Sequence, residues 1–234
     1  MKKLMIATLA FMLGSFSMAS AELGVKIGAS MNIAVFHATG SDLDASAPTA
    51  DTNGVAARTQ SEDATGVAGF SSFFIEKDLT FLPGPLGRFS VGYDFVDKAL
   101  EGDSTETRSS LDAGAAAAVN TDKTQIVKIA FENMSTTYVT FNITDTLYVK
   151  TGSISVDLVT KENLGTGGTY GDETLSGSMA GIGMSHMFDN GIFFRTEGTL
   201  IDIDNATAQT SGDHTIDIND ISGASARFSV GKAF

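Results

Sequence analysis

Twelve charged side chains in this sequence alternate with apolar neighbours, and they divide evenly by sign. Lys26, Arg88, Lys128, Lys150, Arg195 and Arg227 are basic; Glu76, Asp78, Asp94, Glu132, Asp157 and Glu197 are acidic. Brought together away from water, such a set does ion-pair chemistry, because buried charges persist only when paired and hydrogen-bonded. Other candidates for chemistry are sparser. His37, His186 and His214 have no ligand-like spacing. A hydrolase or acyltransferase built on His37 with a Ser or Asp ranks third among the functional readings, since no partner can be nominated. Asp202-Ile203-Asp204-Asn205 and Asp217-Ile218-Asn219-Asp220 offer the oxygen donors that hard cations prefer, but neither has the spacing of a twelve-residue Ca²⁺ loop. Asp202, Asp204, Asp217 and Asp220 are therefore weak metal candidates. Gly165-Thr166-Gly167-Gly168 lacks the strand-to-helix setting of a phosphate loop. No cofactor is implied.

The elements that position these charges show a period of two. Leu23, Val25, Ile27, Ala29, Met31, Ile33 and Val35 form one apolar row, with Gly24, Lys26, Gly28, Ser30, Asn32 and Ala34 between them. That alternation is much longer than the ~5–6 residues of most soluble strands. Phe89 to Phe95, Val127 to Phe131, Ile154 to Leu158, Ile192 to Phe194 and Ala224 to Phe234 repeat it, with the charges in the opposite row. No 3.6-residue periodicity follows residue 21, so the expectation is an all-β chain. The first 21 residues read as a cleaved export signal: Lys2-Lys3, an apolar run from Leu4 to Leu13, and Ala19-Ser20-Ala21. Without it, 13 basic residues face 28 acidic ones, a net −15. That balance excludes nucleic acid as a partner through charge. The absence of cysteine excludes disulfides and thiolate chemistry.

Connector lengths alternate. Long polar stretches at about 38–66, 97–122, 161–173 and 202–217 are interleaved with short turns at Leu82–Gly87, Thr144–Thr146 and Asp189–Gly191. Eight strands in this order give an up-and-down antiparallel barrel that crosses a membrane with strands and keeps its long loops on one side. The charged rows then point into a narrow lumen as a balanced network. The four loops carry the acidic excess and could meet a surface ligand or cations. A wide diffusion pore needs about sixteen strands, more than this length supplies.

Some segments fit this plan less simply. Lys123 to Asn142 is long enough to hide an extra turn at Glu132–Thr136, which would make the strand number uneven. Lys77 falls in an outward apolar row. Between Val149 and Ile154 the apolar parity changes, which predicts a bulge near Gly152. Asp189-Asn190-Gly191 predicts a type I′ hairpin.

The signal, the eight alternating strands, the four long loops and the closing Arg227-Phe228-Ser229-Val230-Gly231-Lys232-Ala233-Phe234 resemble the small outer-membrane β-barrels of Gram-negative bacteria, of the OmpX, OmpW and OmpA-transmembrane types. The resemblance spans residues 22–234 and is one of pattern. It implies residence in outer-membrane lipid and handling by the barrel-assembly machinery, with Phe228, Val230 and Phe234 as the assembly signal. Lys232 departs from that signal's usual apolar character. The four acidic loops make a structural or surface-interaction role the first functional reading, with a narrow channel for small solutes or ions as runner-up and a lipid-modifying or proteolytic enzyme third; the expectation is a protein without enzymatic activity.

Overall fold

A computed structural model describes residues 24–44, 59–98, 100–102, 105–109, 122–163, 171–209 and 214–234. Its strands are β1 (Val25–Asp44), β2 (Thr59–Asp78), β3 (Phe89–Val96), β4 (Leu100–Gly102), β5 (Thr105–Ser109), β6 (Asp122–Asn142), β7 (Leu147–Asn163), β8 (Glu173–Met187), β9 (Ile192–Ile203), β10 (Ala206–Gln209) and β11 (His214–Ala233). β4 and β5 pair with β6 as β3 does, and β10 pairs with β11 as β9 does, so these segments build eight wall strands. Every pairing is antiparallel, and β11 pairs back on β1 to close the sheet. Along that seam Ser30 Oγ and Ser229 Oγ are 2.9 Å apart.

Following direct cross-strand partners from Lys26 leads through Glu76, Gly92, Tyr138, Gly152, Met179, Ile201 and Gly223 back to β1 at Phe36. The path returns ten residues higher (36 − 26), the stagger that closure of tilted strands requires. Eight strands so arranged leave an interior just wide enough for side chains to fill.

Near the short turns the wall is apolar outside and polar inside. Ile75, Val91, Val149 and Ile182 point outward there, and the outward apolar surface continues higher up through Met31 (74 % exposed), Leu200 (68 %) and Val67 (70 %). Lys26, Glu76, Ser90, Lys150 and Arg195 are buried. Lys77 stays in the outward row without a bulge, opposite Val25 at the base of the barrel. The β6–β7 turn lies at 143–146, and β6 is one continuous strand. The extra turn considered at Glu132–Thr136 is a bulge instead, with Asn133 at φ 52° and the register shifting between Glu132 and Ser135. The β8–β9 hairpin is not type I′. Only Gly191 has positive φ (80°), and its N–H donates to Phe188 O, a type I turn followed by one left-handed residue.

Toward the long-loop end the polarity inverts. Ile154, Val156 and Leu158 on β7 are buried, while Ser153 and Ser155 are exposed. No bulge lies near Gly152; β7 runs in unbroken register with β8, and the apolar row changes face. Val96, Met134, Leu175, Met179, Ile201, Ile203 and Ile221 join these residues in one interior core, with Phe36, Phe70 and Phe131 packed against it. The strands therefore continue into stretches expected to be loops: β1 to Asp44, β2 from Thr59, β7 to Asn163 and β11 from His214. They do so because backbone pairing persists after the outward row turns polar. Residues 1–21, most of the remaining loop residues, Gly165–Gly168 and the Ala113–Ala118 run lie outside the described residues.

Candidate functional site

Eight of the twelve charges converge in the lower lumen, four of each sign. Glu76 is the hub. Arg195 donates to both its oxygens, Nη1 to Oε2 at 2.8 Å and Nη2 to Oε1 at 2.7 Å. Lys26 Nζ reaches Glu76 Oε1 at 3.3 Å and Asp78 Oδ1 at 2.6 Å. Ser90 also donates to Asp78 at 2.7 Å. Lys150 donates to Glu197 at 3.1 Å, and Tyr148 OH donates to the same carboxylate at 2.9 Å. Arg227 pairs with Asp94 at 2.8 Å and donates through Nε to Asn32 Oδ1 at 2.7 Å. Each carboxylate meets a cation, and the two-pronged Arg195–Glu76 geometry is the strongest form of such a pair.

Aromatic rings hold the charges in place. Arg195 lies 4.8 Å from the Phe193 ring centre and 5.4 Å from that of Tyr148, and Lys150 sits 4.0 Å over Tyr138. These rings fit because each faces a glycine directly across the ladder. Tyr138 pairs with Gly92, Tyr148 with Gly183, Phe74 with Gly28 and Phe193 with Gly231. A Cβ on Gly28 would stand 2.5 Å from Phe74 Cζ, and a Cβ on Gly92 would overlap the Tyr138 ring. The lumen is thus filled by rings laid across bare backbone, with charges between them.

Above the ion pairs lies the apolar core. At the boundary a cavity of about 30 Å³ is lined by Asp94, Lys150, Glu197 and Arg227 on one side and by Met134, Ile154 and Ile201 on the other. It has space for a water molecule or two.

Three expected lumen charges stand elsewhere. Arg88 is exposed at the short-turn end and donates to Ile143 O at 3.1 Å, because it closes the 3-10 turn Gly84–Arg88 rather than joining β3. Asp157 faces outward and accepts from Asn133 Nδ2 (2.9 Å) and Thr174 Oγ1 (2.8 Å). Glu132 is its direct cross-strand neighbour and shares that face. Both follow from the inversion, which sends the polar row of upper β7 outside. Lys128 lies on β6 opposite Lys161, and its side chain is outside the described residues.

Among the described residues no three or more His, Cys, Asp or Glu side chains gather to hold a metal. Asp202 and Asp204 are exposed, Asp217 accepts from Thr207, and Asp220 is a bulge residue at φ 54°. His37 Nδ1 is 3.4 Å from Thr65 Oγ1, and His186 meets Phe188 edge-on. The His214 side chain is outside the described residues. The sequence reading missed Tyr138, Tyr148, Phe74 and Phe193. Each is an aromatic in the lumen row opposite a lumen-row glycine on the next strand, a match that can be seen only once the register is known.

Neither a protein-family model nor a curated protein sequence matches this chain. Solved structures similar in shape include the outer membrane protease OmpT from Escherichia coli, at 9% identity and TM-score 0.45, covering 93% of this chain and 99% of that one. The outer membrane protein OprG from Pseudomonas aeruginosa aligns at 13% identity and TM-score 0.46, covering 88% and 97%. Ail, the attachment invasion locus protein of Yersinia pestis, aligns at 9% identity and TM-score 0.34, covering 86% and 98%. On its own register, closed wall and outward apolar surface, this chain is an eight-stranded antiparallel β-barrel of the membrane type.

Proposed function

We propose that the protein is an integral barrel of the Gram-negative outer membrane, exported by a signal in residues 1–21. Its lumen is sealed, and it serves a structural or surface-interaction role at its long-loop end. The observation that carries this reading is the filled interior. A neutral net of paired charges, wedged by rings, lies beneath an apolar core. A passage for ions would need continuous water, and an apolar constriction excludes it. The short turns then face the periplasm and the acidic connections face outward, where a surface ligand or cations would meet them.

Planar-bilayer recording of the purified protein tests this. The expected trace shows no discrete steps above the bare bilayer. Steps that disappear when Arg195 or Glu76 is replaced would instead establish a narrow channel through the ion-pair net.

Phe228, exposed on β11, together with Val230 and Phe234, is proposed to present the signal read by the barrel-assembly machinery. Phe234→Asn is expected to lower the amount of folded protein in the outer membrane several-fold while leaving refolding from urea into detergent intact. Equal loss in both assays would mark Phe234 as a stability residue only.

A further inference from the structure

The apolar outer surface is not the same height all round. On β1 it runs from Ile27 through Ala29, Met31 and Ile33 to Val35, and the first polar outward residue is His37. At ~3.3 Å rise per residue and a tilt of about 40°, that row covers roughly 20 Å of membrane. On β7 the row holds only Leu147 and Val149, roughly 5 Å by the same measure. Above them hydroxyls take over. Thr151, Ser153 and Ser155 on β7 stand beside Thr137 and Ser135 on β6 and beside Ser178 and Ser176 on β8. All are exposed except the half-buried Ser135. A bacterial barrel's apolar band is ~25 Å tall, so this face falls well short.

Tilting the barrel does not repair the mismatch. Lowering the upper interface on the β6–β7 side would also sink the Thr144-Asp145-Thr146 turn into hydrocarbon, where a carboxylate is costly. The inside of the same wall, Ile154, Met179 and Met134, is apolar. Polar outside and apolar inside is the pattern of a sheet that faces water. Along β7 and β8 the hydroxyl face runs on without a break into Asp157 and Thr174, and past the β6 bulge Glu132 joins them at the upper edge. Thr151 and Ser153 donate to the carbonyls of Met179 and Gly177, and each hydroxyl oxygen keeps capacity to accept from outside.

We propose that this β6–β8 face binds the polar headgroup layer of the outer leaflet, drawn down by roughly 15 Å so that the bilayer is locally thinned along one side of the barrel. The proposal rests on the membrane-spanning reading above and can fail without it.

The chain has no cysteine, so single substitutions report cleanly. Ser153 lies six residues above Leu147 and Ile33 six residues above Ile27, so Ser153→Cys and Ile33→Cys report from matched positions on the two rows. Each variant is reconstituted in vesicles of phosphatidylethanolamine and phosphatidylglycerol, with a water-soluble maleimide on both sides. Ser153→Cys is expected to react about tenfold faster than Ile33→Cys, because the reacting thiolate forms in water and is suppressed in hydrocarbon. Equally slow reaction overturns the thinning and leaves the barrel standing. Equally fast reaction overturns the membrane-spanning reading itself. A Ser153→Cys disulfide-linked dimer protected from maleimide assigns the face to a second copy and also overturns the proposal.

Discussion

Glu76→Gln is expected to destabilise the folded barrel by about 3–5 kcal/mol, the usual effect of removing one partner from a buried ion pair. The measurement is urea unfolding from vesicles, followed by tyrosine fluorescence. The substitution keeps the shape of the side chain, removes its charge and turns one of the two acceptor oxygens into an NH2 donor. Arg195 loses both of its charged acceptors, and Lys26 keeps only Asp78. Arg195 stays among Phe74, Tyr148 and Phe193, where no other carboxylate reaches it among the described contacts. Adding Arg195→Met to Glu76→Gln should recover a good part of the loss, since the stranded charge then goes too. A single variant within about 1 kcal/mol of the parent, the range of an exposed pair, would mean that water reaches the network. The sealed-lumen reading would fall with it.

Gly92→Leu carries the other large effect. Tyr138 lies over the bare backbone of Gly92, and any side chain there occupies the ring's position. Overpacking of this kind costs about 3 kcal/mol or more when the backbone cannot move, and a closed ladder holds Gly92 between two strands. The unheated SDS-gel band of folded barrel should therefore vanish. Gly92→Leu with Tyr138→Ser should restore it, because the leucine then fills the space the ring leaves. Folding of the single variant, or failure of the pair to rescue, would show that the ring and glycine do not share that volume.

These residues show how far the sequence could be read. Closure, strand number and the outward row near the short turns all follow from period-two alternation and connector lengths, which need no knowledge of partners. The same pattern placed Lys26, Glu76, Asp78, Asp94, Lys150, Arg195, Glu197 and Arg227 in one lumen. It failed where alternation is ambiguous. A period of two says that Ile154, Val156 and Leu158 share a face but not which face. Treating apolar as outward put Asp157 inside and invented a bulge at Gly152. The ring-over-glycine pairs were out of reach for another reason. Gly92 meets Tyr138 only through a register between strands separated by a long connection, and spacing along the chain does not encode that. Arg88 was misplaced because a 3-10 turn continues one residue into what reads as a strand.

The β1–β11 seam has a consequence for timing. Ser30 and Ser229 meet across 199 residues, and closing a loop of that length costs about 5 kcal/mol of chain entropy. Hairpins such as β6–β7 and β8–β9 close over a few residues and can form early, whereas the seam can form only after every other wall strand is in place. Until then β1 and β11 are two long open edges, each a template for pairing with another chain. The slowest step of assembly, and the moment of greatest exposure to aggregation, both belong to the meeting of the first strand with the last.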